Sequence, residues 1–100
     1  MDLNKVIIIG TIETVEYVQV KESTRTKLSV KISESFKDKI FSQIIPIEYY
    51  KEIQLMTGER VLIEGSVKMS PYENKNTGKT TYFININAYS IKCEQPNEKF

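Results

Sequence analysis

One hundred residues suffice for one domain around one hydrophobic core. With no histidine and the single cysteine Cys93, the chain can build neither a zinc cluster, nor a histidine-based catalytic set, nor an internal disulfide. Fourteen Lys and Arg against thirteen Asp and Glu give a formal net charge of +1, so a polyanionic partner has to be read from where the lysines fall. The apolar runs are short and rich in Ile and Val, well below the roughly 18 residues of a membrane span, so no membrane segment is expected. Met1-Asp2-Leu3-Asn4-Lys5 lacks the basic start and apolar middle of a secretory leader, and the expected location is the cytoplasm.

Lys5 to Val20 alternates loosely around Gly10, which predicts a long first strand bent or bulged near that glycine. Ser23-Thr24-Arg25-Thr26 is a polar break. Leu28, Val30 and Ile32 then alternate with Lys27, Ser29, Lys31 and Ser33 in a second strand with one wet face. Ser35-Phe36-Lys37-Asp38-Lys39 predicts a hairpin tip, and Ile40 to Ile47 a third strand ended by Pro46. From Glu48 to Met56 the period changes: Tyr49, Ile53 and Met56 fit one helical face and Thr57-Gly58 a helix stop. Arg60 to Ser70 is a fourth strand with a bend at Gly65, and Pro71 to Lys79 a polar hairpin loop. Thr80 to Lys92 is the fifth strand, with Tyr82, Ile84, Ile86 and Ala88 on one face and Phe83, Asn85, Asn87 and Tyr89 on the other.

Three strands, a short helix and two strands predict an all-β domain with one helix, the five-stranded Greek-key barrel of the OB-fold. The domain is expected to occupy residues 1–93, with 94–100 a short flexible end.

Certain segments add a family resemblance. Leu3-Asn4-Lys5-Val6-Ile7-Ile8-Ile9-Gly10 resembles the opening strand of bacterial and phage single-stranded DNA-binding proteins (SSBs). Ser33-Glu34-Ser35-Phe36-Lys37-Asp38-Lys39 is similar to the family segment in which an aromatic follows Ser-Glu-Ser and precedes a basic hairpin. Gly58-Glu59-Arg60-Val61-Leu62-Ile63-Glu64-Gly65 resembles the family's Gly-x-x-Val-x-Val-Glu-Gly strand, and Tyr72 and Tyr82 stand where the family carries aromatics on either side of a polar loop.

The resemblance runs over residues 3–92 and implies sequence-tolerant binding of single-stranded DNA in replication, recombination or repair, with no catalysis and no cofactor. It further implies base stacking by Phe36, Phe41 and Tyr72, basic positions at Lys5, Lys37 and Lys39, and self-association as a dimer or tetramer, with replication proteins as further partners. The chain lacks the family's acidic C-terminal tip and its usual signature between Glu13 and Thr26; a phage, plasmid or mobile-element version fits both departures. A primosomal replication protein, an assembly factor acting mainly through protein partners, is the alternative.

Stacking rings and phosphate-following cations should interleave in such a binder. Phe36 lies between Ser35 and Lys37 with few apolar neighbours, which favours a ligand role. Phe41 opens an apolar run, where a core role competes, and Tyr72 has hairpin packing as its plainer use. Tyr82 and Phe83 point to opposite faces, so only one meets the ligand. Lys31, Lys68, Lys75 and Lys79 complete the expected binding set, each with ordinary solvated charge as its alternative. Glu34 and Glu64 lack a partner acid, a histidine or a phosphate loop, which argues against catalysis.

Overall fold

Period-two alternation runs through most of residues 1–94, the part of the chain that the computed structural model describes, and it yields five strands. They are β1 (Val6–Val20), β2 (Ser23–Phe36), β3 (Lys39–Tyr49), β4 (Arg60–Glu73) and β5 (Thr80–Cys93). The strands close into a barrel in the order β1-β2-β3-β5-β4. All neighbours are antiparallel except β3 and β5, which run parallel over three pairs, Ile47 with Ile86 to Tyr49 with Ala88. This is the connectivity of an OB-fold. The expected end from 94 onward lies, apart from Glu94, outside the described residues.

The inward residues make the core. Ile8 and Ile12 of β1, Leu28 and Val30 of β2, Ile47 of β3, Val61 and Ile63 of β4, and Ile86, Ala88 and Ile91 of β5 are all buried. Each large aliphatic side chain so buried contributes about 1.5–3 kcal/mol against conformational entropy.

Two bulges bend the sheet into closure. In β1 the register shifts between Ile12 and Thr14, so the extra residue is Glu13 and not Gly10. Gly10 answers a different need: a Cβ there would stand 2.5 Å from Val30 Cγ1 and 2.6 Å from Lys31 O. β1 can therefore share itself, pairing with β4 over Val6 to Thr11 and with β2 over Thr11 to Val20. The second shift, opposite Glu64 and Gly65, leaves Tyr89 as the extra residue of β5, and inward positions change from Ala88 to Ile91.

The expected helix over Glu48 to Met56 does not form, and no helix occurs among the described residues. β3 continues to Tyr49, and residues 50–59 cross to β4 as an irregular connection. A buried hydroxyl accounts for this: Thr26 Oγ1 donates to Lys51 O at 2.8 Å and accepts from the Ile53 amide at 3.3 Å. Tyr17 Oη adds a bond to Ile53 O at 2.9 Å and accepts from the Leu55 amide at 3.4 Å. These backbone groups are satisfied across the barrel instead of along a helix. Leu55, 7% exposed, joins the core, while Met56, placed by the helical period on the same face as Tyr49, is 71% exposed.

Two further sequence expectations shift. The polar break at 23–26 is already β2, and the turn lies at Lys21-Glu22, with Lys21 at φ 56°. Pro46 does not end β3 but sits inside it opposite Ser29, one residue before the ladder to β5 begins. Up to that point β3 has an open edge, where a strand tolerates proline.

That open edge defines the shape. Because β3 and β5 enter the barrel in parallel, the hairpins that precede them, Ile32 to Ile45 and Lys68 to Asn85, leave from the same end as two arms. The radius of gyration is 15.9 Å, against about 13 Å for a compact domain of this length.

Candidate nucleic-acid interface

Strand alternation gives each arm two faces, one continuing the barrel interior and one continuing its outside. The expected site residues divide between them.

On the inward-continuing face of the first arm, Phe36 lies opposite Lys39 and Phe41 opposite Glu34. Both rings are exposed, Phe36 at 62%. Lys37 and Asp38 form the tip, both at positive φ (52° and 64°), as a two-residue turn between twisted strands requires. The turn folds the Lys37 ammonium back to 5.3 Å from the Phe36 ring centroid. Phe41 lines a shallow groove of about 270 Å³ with Ile32, Glu34 and Gln43. On the second arm the corresponding face carries Val67, Met69, Tyr82 and Ile84, all exposed.

Tyr72 and Lys68 lie on the outward face of the second arm. Tyr72 is 58% exposed and packs edge-on against Phe83, with centroids 6.0 Å apart. Phe83, not Tyr82, thus shares the face of Tyr72. Lys75 and Lys79 belong to the loop at this arm's end, where Asn74 Oδ1 accepts from the Asn76 and Thr77 amides and the Asn74 amide donates to Lys79 O at 2.8 Å.

A cluster that the sequence reading passed over joins this arm to the barrel. Tyr50, just beyond β3, has the Arg25 guanidinium 4.5 Å from its ring centroid and the Lys68 ammonium 5.7 Å away. The Tyr50 hydroxyl accepts from Lys68 Nζ at 3.0 Å and donates to Asn87 Oδ1 at 3.4 Å. That bond to Tyr50 is the main cause that holds the Lys68 pKa above its ordinary 10.5, with nearby Glu48 adding to it.

Along β2 the outward positions read Arg25, Lys27, Ser29 and Lys31, a cationic stripe with steps of about 7 Å. Two signals could have revealed it: the period-two spacing of Arg25, Lys27 and Lys31, and a strand reading of Tyr50 in place of a helical one.

Two expected residues stand apart. Lys31 also lines a separate polar groove with Thr11, Glu13, Ser33 and Arg60, about 20 Å along β2 from Arg25. Lys5 is 3.5 Å from Glu64 in a partly exposed ion pair beside the start of β1, next to Asn4, which exchanges two hydrogen bonds with Val67 at the root of the second arm. The expected set therefore forms no single channel: Phe36, Phe41, Lys39 and Tyr82 share the inward-continuing face, and Lys31, Lys68 and Tyr72 the outward one. Among the described residues, no group of three His, Cys, Asp or Glu side chains could hold a metal ion.

No family model matches the chain, and no curated protein matches it in sequence. In structure it is similar to the Plasmodium falciparum SSB solved in complex with single-stranded DNA, at a TM-score of 0.83 and 16% identity over 95% of this chain and 97% of that one. The five-stranded barrel is thus an OB-fold.

Proposed function

We propose that the chain binds single-stranded DNA without strict sequence requirement, as a non-catalytic protein of replication, recombination or repair carried by a phage or mobile element. The observation that carries this reading is the outward row in which Tyr50 stands between Arg25 and Lys68 and leads along the second arm to Tyr72 and Phe83. Unpaired bases expose π-faces to such rings, while flanking cations follow the phosphates. OB-folds take oligonucleotides on the face of their second and third strands and on the loop between the fourth and fifth, where this row and the lysines of the second arm's loop lie. The similar structure was itself solved with single-stranded DNA, which supports the reading.

Phe36 and Lys37 on the first arm offer a second stacking position for a strand passing around the tip. Self-association as a dimer or tetramer belongs to the same proposal, supported by Ile7 and Ile9, exposed side by side on the outer face of β1. Cytoplasmic residence also belongs to it, in keeping with the free, exposed thiol of Cys93.

Fluorescence anisotropy with matched single- and double-stranded oligonucleotides over a salt series tests the reading. Three phosphate contacts, from Arg25, Lys31 and Lys68, give a log–log salt slope of about −2 for a single strand. A flat salt response, or equal affinity for duplex, rejects it. Weak DNA binding together with tight capture of a replication protein would favour the assembly-factor alternative.

A further inference from the structure

A groove of about 260 Å³ opens on the outer face, walled by Glu16 of β1, Lys27 of β2, Pro46 and Glu48 of β3, and Asn85 of β5. It lies where β3 and β5 part, because their ladder starts only at Ile47 and Ile86. Asn85 Oδ1 is buried there with no hydrogen-bond partner. The residue of β3 beside it is Pro46, which has no N–H to give. A buried acceptor left unpaired is destabilising, so a ligand that supplies a donor is favoured at this point.

The other polar groups of the groove fix what kind of donor. Glu48 is only 16% exposed and faces Lys27 at 4.0 Å, which leaves carboxylate lone pairs free beside Asn85. Ionised carboxylates accept and cannot donate. The Thr14 and Ser29 hydroxyls are bonded to each other at 2.6 Å. Two carboxylates and an amide oxygen repel a phosphate, so the backbone is held outside the groove by Arg25 and Lys68 while a base edge enters it.

Of the four bases, guanine presents two adjacent donors, N1–H and the 2-amino group, with O6 beside them to accept from Lys27. Thymine presents one N–H between two carbonyls, which would be set against the carboxylates.

We propose that this groove is a base-reading subsite that takes one guanine by its Watson–Crick edge, with Asn85 Oδ1 and the Glu48 carboxylate as acceptors and Lys27 as donor. The inference rests on the single-strand reading and deepens it: binding tolerates any sequence along most of its length but favours guanine at one position.

The test is competition binding with thymidine oligonucleotides that carry isolated guanines, isolated inosines or neither. Guanine should improve affinity between about five- and thirtyfold over thymidine alone. Inosine, which lacks the 2-amino group, should lose most of that gain, and Asn85→Leu should bring the guanine-to-thymidine ratio towards one. Glu48→Gln, which keeps the shape of the side chain, should also lower the ratio and serves if Asn85→Leu fails to fold, as judged by its melting curve. Equal affinity for the guanine and thymidine strands overturns the subsite and leaves single-strand binding standing. Failure to bind any strand overturns both.

Discussion

Tyr50 and Lys68 belong to neighbourhoods that never pair, since β5 lies between β3 and β4, yet the Lys68 ammonium reaches across to donate a 3.0 Å hydrogen bond to the Tyr50 hydroxyl. With the Arg25 guanidinium 4.5 Å from the centroid of the same ring, the contact ties β2, the end of β3 and β4 into one outward surface.

Replacing Tyr50 separates the ring from the hydroxyl. Tyr50→Ala should weaken single-strand binding by about 1–3 kcal/mol, read by anisotropy. Tyr50→Phe should keep most of the affinity but lower the Lys68 pKa, because the bond that raises it is gone. The sign follows directly: a raised lysine value means that the bond's contribution is complete below 10.5 and fades as pH climbs through the elevated value. An NMR titration of the Lys68 side chain that is unchanged in Tyr50→Phe would contradict this.

Phe36 and Tyr72 sit on different arms, and both rings are mostly exposed. Each change to Ala should therefore leave the melting temperature nearly unmoved while costing about 1–3 kcal/mol in strand affinity. The double variant should show the sum to within about 0.5 kcal/mol. A large non-additive residue in the isotherms would mean that both rings clasp one base.

Thr26 is the fully buried polar residue of the barrel, and its hydroxyl serves Lys51 O and the Ile53 amide together. Thr26→Val keeps the volume and removes both bonds. It should cost about 1–3 kcal/mol in urea unfolding, and the Ile53 amide should lose hydrogen-exchange protection ahead of the core strands. Retention of that protection would show that the connection holds without the hydroxyl.

The hairpin tip carries two consecutive non-glycine residues at positive φ, Lys37 and Asp38. Asp38→Gly should stabilise the fold by up to about 1 kcal/mol, since glycine adopts that backbone without steric cost. Calorimetry measures it, and a lower melting temperature would refute it.

These residues also show how far the sequence could be read. Alternation around Leu28, Val30 and Ile32, and around Val61 and Ile63, marked β2 and β4 because one face of each is core. The turn residues around Lys37-Asp38 and Asn74 to Gly78 marked both arms. The helix expectation failed because Ile53 and Leu55 are fixed by hydroxyls on β1 and β2, a long-range satisfaction of backbone groups that no local period carries. The same error hid Tyr50, since a residue assigned to a helix could not be placed beside Arg25 and Lys68. Faces within each arm were legible, as for Tyr82 against Phe83, but which arm faces meet is set by barrel closure.

Only three pairs, Ile47–Ile86 to Tyr49–Ala88, join the β2–β3 hairpin to the β4–β5 hairpin. The barrel is thus latched by its shortest join, between segments nearly forty residues apart in the chain, so opening there demands less than opening any other pair. A polymer lying over Arg25, Tyr50 and Lys68 would bridge that latch from outside and hold the two halves shut. Occupancy would then register as slower solvent exchange of the Ile86 to Ala88 amides, a change inside the wall reporting what rests on its surface.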